Sequence, residues 1–333
     1  MIRVDGSYGE GGGQILRSAI ALSCVTGEAV EIYNIRANRP KPGLKAQHMK
    51  GIEAAKLLCN AEVEGLRPGS TRVIFRPGEV RVRDLRIDIG TAGSITLLLQ
   101  TILPPLLHAG KECRLEITGG TDVSWSPSID YFRFVTSSAL RELGADLDID
   151  VIRRGYYPKG RGKVVVHIRE SELEGRRFEE VRCEAVRGVS HCSNLPAHVA
   201  ERQARAARRL LESSNYRAEI ETEVRRDYST GSGITIYCGY KGTVSLGEKG
   251  KRAEKVGEEA ALELLRELGM SGAFDRHLAD QVMIAGAIAR GTTEYTTTEV
   301  TMHTRSNAYV INSFFPDSVE IDGNRLRIRG TRD

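Results

Sequence analysis

No run of apolar residues in the 333-residue chain reaches the roughly 18–20 needed to cross a bilayer, which excludes a membrane span. Cysteine is sparse: Cys24, Cys59, Cys113, Cys183, Cys192 and Cys238 are widely scattered, with no CxxC pair. That spacing predicts a reduced, cytoplasmic protein with mostly buried thiols. A zinc site from Cys183, His191, Cys192 and His198 matches no established ligand spacing and is rejected. The opening Met1-Ile2-Arg3-Val4-Asp5 lacks the apolar stretch of a secretory signal, which argues against secretion. An excess of one charge is also missing. The 48 Lys and Arg against 44 Asp and Glu leave +4, which permits a nucleotide or nucleic-acid partner without requiring one. Asn and Gln are few beside many Arg and Glu, a weak thermophile signature. What is present is 40% hydrophobic, spread periodically from end to end, enough for two cores and too much for a disordered chain.

An internal repeat organises the chain. A glycine-rich opening, Gly9-Glu10-Gly11-Gly12-Gly13-Gln14, leads into an apolar stretch from Ile15 to Leu22 that reads as a helix. The helix stops at Gly27, and Val30 to Ile35 alternates as a strand. The plan recurs from Gly90-Thr91-Ala92-Gly93 through a helix ending at Gly110 and a strand at Cys113–Ile117. A third copy opens at His277, ends its helix at Gly291 and continues in the β-branched run Thr292 to Thr301. Aligning the three stop glycines superposes Arg17, Gln100 and Gln281, ten residues before each. Arg39, Asp122 and His303 also coincide, just past the strands. A further helix follows each strand: Gln47 to Leu58, Ile129 to Leu143 and Asn307 to Phe315. A period of roughly 80–90 residues is a small α/β domain in triplicate, not a solenoid. The stretch from about Arg182 to Phe274 breaks the register. It carries its own helices (Ala197 to Glu212, Ala253 to Leu268) and strands (Ala218 to Val224, Gly233 to Cys238). The expected organisation is a large domain over 1–181 and 275–333 with a smaller inserted domain over 182–274.

Three segments carry candidate chemistry. Glycines before a helix let the backbone approach an anion, and the free N–H groups there favour negative charge. Glu10 inside that turn makes sense beside a phosphate if a divalent ion bridges them. Arg36 to His48 holds Arg36, Arg39, Lys41, Lys45 and His48 with no acid, stiffened by Pro40 and Pro42. Such a loop suits a polyphosphate, although a solvated charged loop is the commoner case. Arg153 to Lys163 sets Tyr156 and Tyr157 among five cations, able to stack on bases and neutralise phosphates or simply to turn a hairpin. Arg202, Arg205 and Arg209 form a stripe on the insert helix, and such stripes are usually only solvated. His303, before a helix, has an imidazole nitrogen able to attack phosphorus and become a covalent carrier. Spacing alone favours a hydrogen-bonded structural histidine.

Taken in order, these pieces resemble the RNA 3′-terminal phosphate cyclases over essentially the whole chain. The resemblance rests on Gly9 to Arg17, Arg36 to His48, the loop Arg154 to Gly162, His277-Leu278-Ala279-Asp280-Gln281, and His303 with Asn307. Arg161 stands where that family usually has the middle of three glycines. The resemblance implies an α/β fold of three repeated units with an inserted smaller domain, related to the enolpyruvyl transferases. It implies ATP-dependent closure of an RNA 3′-phosphate end to a 2′,3′-cyclic phosphate, through a histidine–AMP and an RNA-adenylate intermediate. His303 would be the nucleophile. Arg17, Arg39, Gln47, His48, Gln100, Asp280 and Gln281 would bind ATP, and Glu10 would bind Mg²⁺ or Mn²⁺. Arg36, Lys41, Lys45, Tyr156, Tyr157 and Arg161 are the RNA candidates, and a homo-oligomer is compatible with the sequence. Two rivals share the resemblance: a non-catalytic relative serving ribosome assembly, against which His303 speaks, and an enolpyruvyl-type transferase.

Overall fold

The structure, a computed structural model, describes residues 1–331. Two units built on one plan open the chain. The first runs strand Ile2–Asp5, helix Gly13–Thr26, strand Val30–Tyr33, helix Ala46–Cys59 and a hairpin of Glu62–Glu64 with Val73–Arg76. The second runs strand Leu85–Asp88, helix Ile95–Ala109, strand Cys113–Gly119, a helix over 129–142 with a wide turn at Phe132–Thr136, and a hairpin of Leu147–Arg153 with Gly162–Ile168. In each unit the first two strands are parallel and the last strand inserts beside the second, giving the order first, second, fourth, third. The helix joining two parallel strands covers one face of its sheet, as a crossover must.

The sequence states where these helices begin and end. Gly27 and Gly110 adopt left-handed backbone (φ 72° and 64°) and return their N–H groups to the last helical turn. Ser94 and Thr301 accept the amides of Leu97 and Thr304, capping the helices that follow. The Thr301 cap corrects one expectation. The third-unit helix is Met302–Phe314, not Asn307 to Phe315, so His303 lies in its first turn. The preceding strand is Thr292–Thr296 and stops short of Thr301.

The third unit also begins earlier in sequence than the repeat pattern suggests. Phe178 N–H donates to Glu294 O (2.8 Å) and Glu294 N–H to Arg176 O (2.9 Å), with parallel bridges at Glu174–Arg290 and Arg177–Glu294. Residues 174–178 thus take the place of a first strand beside Thr292–Thr296. The segment that breaks the register interrupts this unit between its first strand and its first helix. That segment forms its own four-stranded sheet, in the order Arg217–Arg225, Ala185–Ser193, Gly231–Cys238, Lys241–Leu246. Helices His198–Ser213 and Ala253–Leu268 pack on it around Val186, Leu211, Ile234, Ile236 and Leu264. A second, larger core runs continuously through the three units.

Cys183 and Cys238 are joined by a disulfide, which corrects the expectation of thiols throughout; the other four cysteines are free and buried. The bond forms because the end of strand Gly231–Cys238 brings the two Cα atoms to 5.7 Å across a sequence separation of 55. Reduction is expected to cost about 2–4 kcal/mol, since a loop of that length is held closed in the unfolded chain. Melting with and without dithiothreitol measures it, and equal midpoints would deny the bond a stabilising role. Among the described residues no helix is long and apolar enough to cross a membrane.

Candidate active site

Helices Gly13–Thr26, Ile95–Ala109 and Met302–Phe314 come from three different units, yet their side chains meet at one cleft. Its lining includes Gln14, Arg17, Gln100, Phe132, Asp280 and Gln281, and it encloses about 530 Å³ counting space open to solvent. Arg17 Nε donates to Gln100 Oε1 at 3.1 Å, and Gln281 Oε1 accepts from Thr136 Oγ1 at 2.9 Å. The register Arg17–Gln100–Gln281, read from three stop glycines, is therefore a spatial cluster.

His303 stands at the edge of this cleft. Its Nδ1 meets Gln14 Oε1, while Gln14 Nε2 donates to Asp280 Oδ2 at 2.6 Å. An amide oxygen only accepts, so the proton between them belongs to Nδ1. That leaves the Nε2 lone pair free. Nε2 points toward Glu10, whose Oε2 lies 3.8 Å away and also pairs with Arg39 Nη2 at 3.0 Å. Partial burial holds the imidazole pKa below its ordinary value; Glu10 opposes this, and Arg17, His277 and Arg39 reinforce it. Burial pushes Asp280 up to about 7, against the pull of Arg17. Burial in turn brings Arg17 down to about 10, and Asp280 limits the fall. Asn307 ties helix Met302–Phe314 to two others: its Nδ2 donates to Asp280 O (2.7 Å) in the short helix Leu278–Gln281, and its Oδ1 accepts from Ser18 Oγ (2.6 Å) in Gly13–Thr26.

The glycine turn closes the other side. Gly9 and Gly11 have φ of 61° and 58°, and a Cβ on Gly13 would lie 2.3 Å from His48 Nε2. Only glycine lets that ring press on the start of the first helix. His48 accepts the Lys45 amide at Nδ1, and burial with Arg17, Arg36 and Lys45 brings its pKa to about 3, so it is neutral. Gln47 donates to Ser94 O at 3.1 Å, and its buried Oε1 has no partner.

The candidates for RNA divide. Lys41, Lys45 and Tyr157 are exposed. Arg161 is half-exposed at φ 61°, with Nη1 3.1 Å from Asp88. Arg36 is buried and donates to the carbonyls of Lys41 (2.7 Å) and Gly43 (2.9 Å), so it braces its own loop. Tyr156 is buried too, with its hydroxyl 2.7 Å from His191 Nδ1, and cannot stack on a base. Asp122, the register mate of Arg39 and His303, lies in a buried cluster with Arg154, Asp130 and His191 instead of in the cleft. Gln14 is a site residue that the sequence reading does not include. Its signal was a polar side chain directly after the glycines, on the buried face of an apolar helix.

Residues 8–321 match the family described as RNA 3′-terminal phosphate cyclase. The chain belongs to the RNA 3′-terminal phosphate cyclase family. It is 62% identical over 329 residues to the RNA 3′-terminal phosphate cyclase of Archaeoglobus fulgidus, covering 99% of this chain and 100% of that one. The cyclase of Methanococcoides burtonii is 52% identical over 323 residues, covering 97% of each chain. That of Pyrococcus furiosus is 48% identical over 331 residues, covering 97% of this chain and 96% of the relative. Among solved structures, the enolpyruvyl transferase NikO from Streptomyces tendae aligns over 99% of this chain and 48% of its own, at 10% identity and a TM-score of 0.43. The cyclases are enzymes of the ligase class, and the cleft lies inside the matched span.

Proposed function

We propose that this chain uses ATP to convert an RNA 3′-phosphate end into a 2′,3′-cyclic phosphate, with His303 as the covalent carrier of AMP. The observation that carries the reading is the Asp280–Gln14–His303 relay, which leaves Nε2 unprotonated and facing the glycine turn. In the first step Nε2 bonds to the α-phosphorus and the bond to the bridging oxygen breaks, releasing pyrophosphate. Gln14 Oε1 accepts a hydrogen bond from Nδ1–H, which stays on the ring, and steadies the cationic ring that forms. Arg17, Arg39, neutral His48 and the amides at the start of Gly13–Thr26 face the phosphates and their developing charge. Gln47, Gln100 and Gln281 fix the nucleotide's orientation. In the second step an oxygen of the RNA 3′-phosphate displaces His303 from phosphorus, forming the RNA-adenylate. The neighbouring 2′-OH then attacks the RNA phosphorus, loses its proton and expels AMP. The ribose itself holds that hydroxyl in place, so no protein nucleophile is needed.

Glu10 fits a divalent metal: a lone carboxylate facing the phosphate site is the usual protein share of a Mg²⁺ shell, Mn²⁺ being equally suited to oxygen donors. When bound, the ion would neutralise phosphate charge. Lys41, Lys45, Tyr157 and Arg161 are the RNA-facing candidates, and we treat 182–274 as an inserted domain. A cytoplasmic setting accords with this substrate.

Arg39→Ala should weaken adenylation by about 2–4 kcal/mol in kcat/KM, as for loss of one charge-stabilising donor. Unchanged kinetics would remove Arg39 from the site. Gln14→Leu should slow adenylation about 10–100-fold with little change in KM for ATP, because the ring loses its fixed tautomer while the phosphate contacts stay. A rise in KM alone would make Gln14 a nucleotide contact instead.

A further inference from the structure

Three loops meet around buried Tyr156. Thr121 and Asp122 donate their amides to Gly155 O at 2.8 and 3.2 Å, and Tyr156 N–H donates to Ser229 Oγ at 2.8 Å. Each loop sends one large aromatic side chain into solvent: Trp125 is 99% exposed, Tyr157 77% and Tyr228 61%. Trp125 is the chain's one tryptophan, and its backbone sits at φ 67°. A bulky residue in left-handed backbone is strained, and a fully hydrated indole gains nothing from burial. Neither feature helps the chain to fold, and together they point to an outside partner. Cations accompany the rings. Lys159 Nζ sits 5.6 Å from the Tyr228 ring centroid, and Arg161 lies on the same loop as Tyr157. Of the acids at the base of the third loop, Glu223 pairs with the Arg154 guanidinium and Asp227 accepts the Arg154 backbone amide.

The loops connect to the cleft. A Cβ on Gly160 would come within 2.6 Å of Ala92 Cα, and one on Gly93 within 2.3 Å of Gln47 Oε1. The turn 90–94 therefore touches the tyrosine loop on one side and the candidate nucleotide site on the other. We infer that Trp125, Tyr157 and Tyr228, with Lys159 and Arg161, form a stacking platform for unpaired nucleotides just upstream of the RNA 3′ end. Exposed rings with cations on the same loops match the bases and phosphates of a single strand, and stacking tolerates any base. The inference rests on the cyclase reading of the cleft and adds where the rest of the strand lies.

The lone tryptophan makes the test direct. Titrating the intact protein with a single-stranded oligoribonucleotide ending in a 3′-phosphate should quench its fluorescence. Trp125→Ala should weaken RNA binding about 5- to 100-fold, with Trp125→Phe retaining most of it. Lys159→Ala should lower the salt slope by about one. Absence of quenching together with wild-type RNA affinity in Trp125→Ala and Tyr228→Ala overturns the platform. So does an unchanged RNA affinity accompanied by a smaller sedimenting species, which would make the surface a contact between copies of the chain. Labelling of the unaltered protein by ATP without RNA tests the adenylation reading separately, so the two can fail independently.

Discussion

His303→Ala is expected to take no label from α-labelled ATP, whereas the wild-type protein becomes labelled in an acid-labile form. The loss should be complete within detection, because the variant lacks the atom proposed to form the covalent bond and nothing shares that role. The same measurement separates the rival readings. A non-catalytic relative would leave the wild type unlabelled, and an enolpyruvyl-type transferase would respond to phosphoenolpyruvate and not to ATP. The pH profile adds a second signature. Only neutral imidazole attacks, so labelling should fall as pH drops through the His303 pKa. That pKa lies below the ordinary histidine value, so the fall should come at lower pH than for an exposed histidine. A profile falling at or above the ordinary value would mean that Glu10 outweighs the burial and cation effects that lower it. Gln14→Leu should shift the same profile, since the relay that holds the ring would be gone.

Much of this site was legible because its signals are local. Gly27 and Gly110 mark helix ends through a backbone conformation that few other residues adopt. The expected third stop, Gly291, does not, since that helix is broken into Leu278–Gln281 and Met283–Ala287 and ends before Ile288. Gly291 is nevertheless left-handed and keeps the spacing that superposes Arg17, Gln100 and Gln281. Strand-helix-strand order likewise follows from periodicity. What the sequence hid is what depends on long-range approach. Cys183 and Cys238 look like unrelated thiols until a sheet brings them together. Asp122 shares a register with Arg39 and His303, but Arg154 and His191 draw it into another cluster, so a shared register did not carry a shared role. The first strand of the third unit is hidden in the sequence because roughly a hundred residues separate it from the helix it precedes. Tyr156 and Tyr157 are neighbours in a basic loop, yet one is buried and the other exposed. Composition cannot separate them, because Ser229 and His191, both distant in sequence, hold the first in the interior.

Arg154→Met is expected to destabilise the protein by about 3–5 kcal/mol. The sequence presents Arg154 as one of five cations in an RNA-like loop, but it is 1% exposed. Its guanidinium reaches Asp122 (3.2 Å), Asp130 (2.8 Å) and Glu223 (2.6 Å), and its amide donates to Asp227 (2.9 Å). Burial raises the Asp122 pKa, but His191 and Arg154 outweigh it and hold this carboxyl well below its ordinary range. Asp122, Asp130 and His191 present ligand atoms close enough to suggest a metal site, yet the guanidinium already supplies the positive charge among them. Methionine would fill much of the space and leave the acids uncompensated, so the cost comes from stranded charge more than from lost packing. Adding Asp130→Asn should therefore recover part of the loss, whereas a purely steric effect would not be relieved. Urea unfolding of the single and double variants measures both. The cluster joins the bases of the Trp125, Tyr157 and Tyr228 loops, so Arg154→Met should also weaken RNA binding under conditions where the protein is still folded. Full RNA affinity in a folded but destabilised variant would mean that the cluster supports the fold without setting the position of those rings.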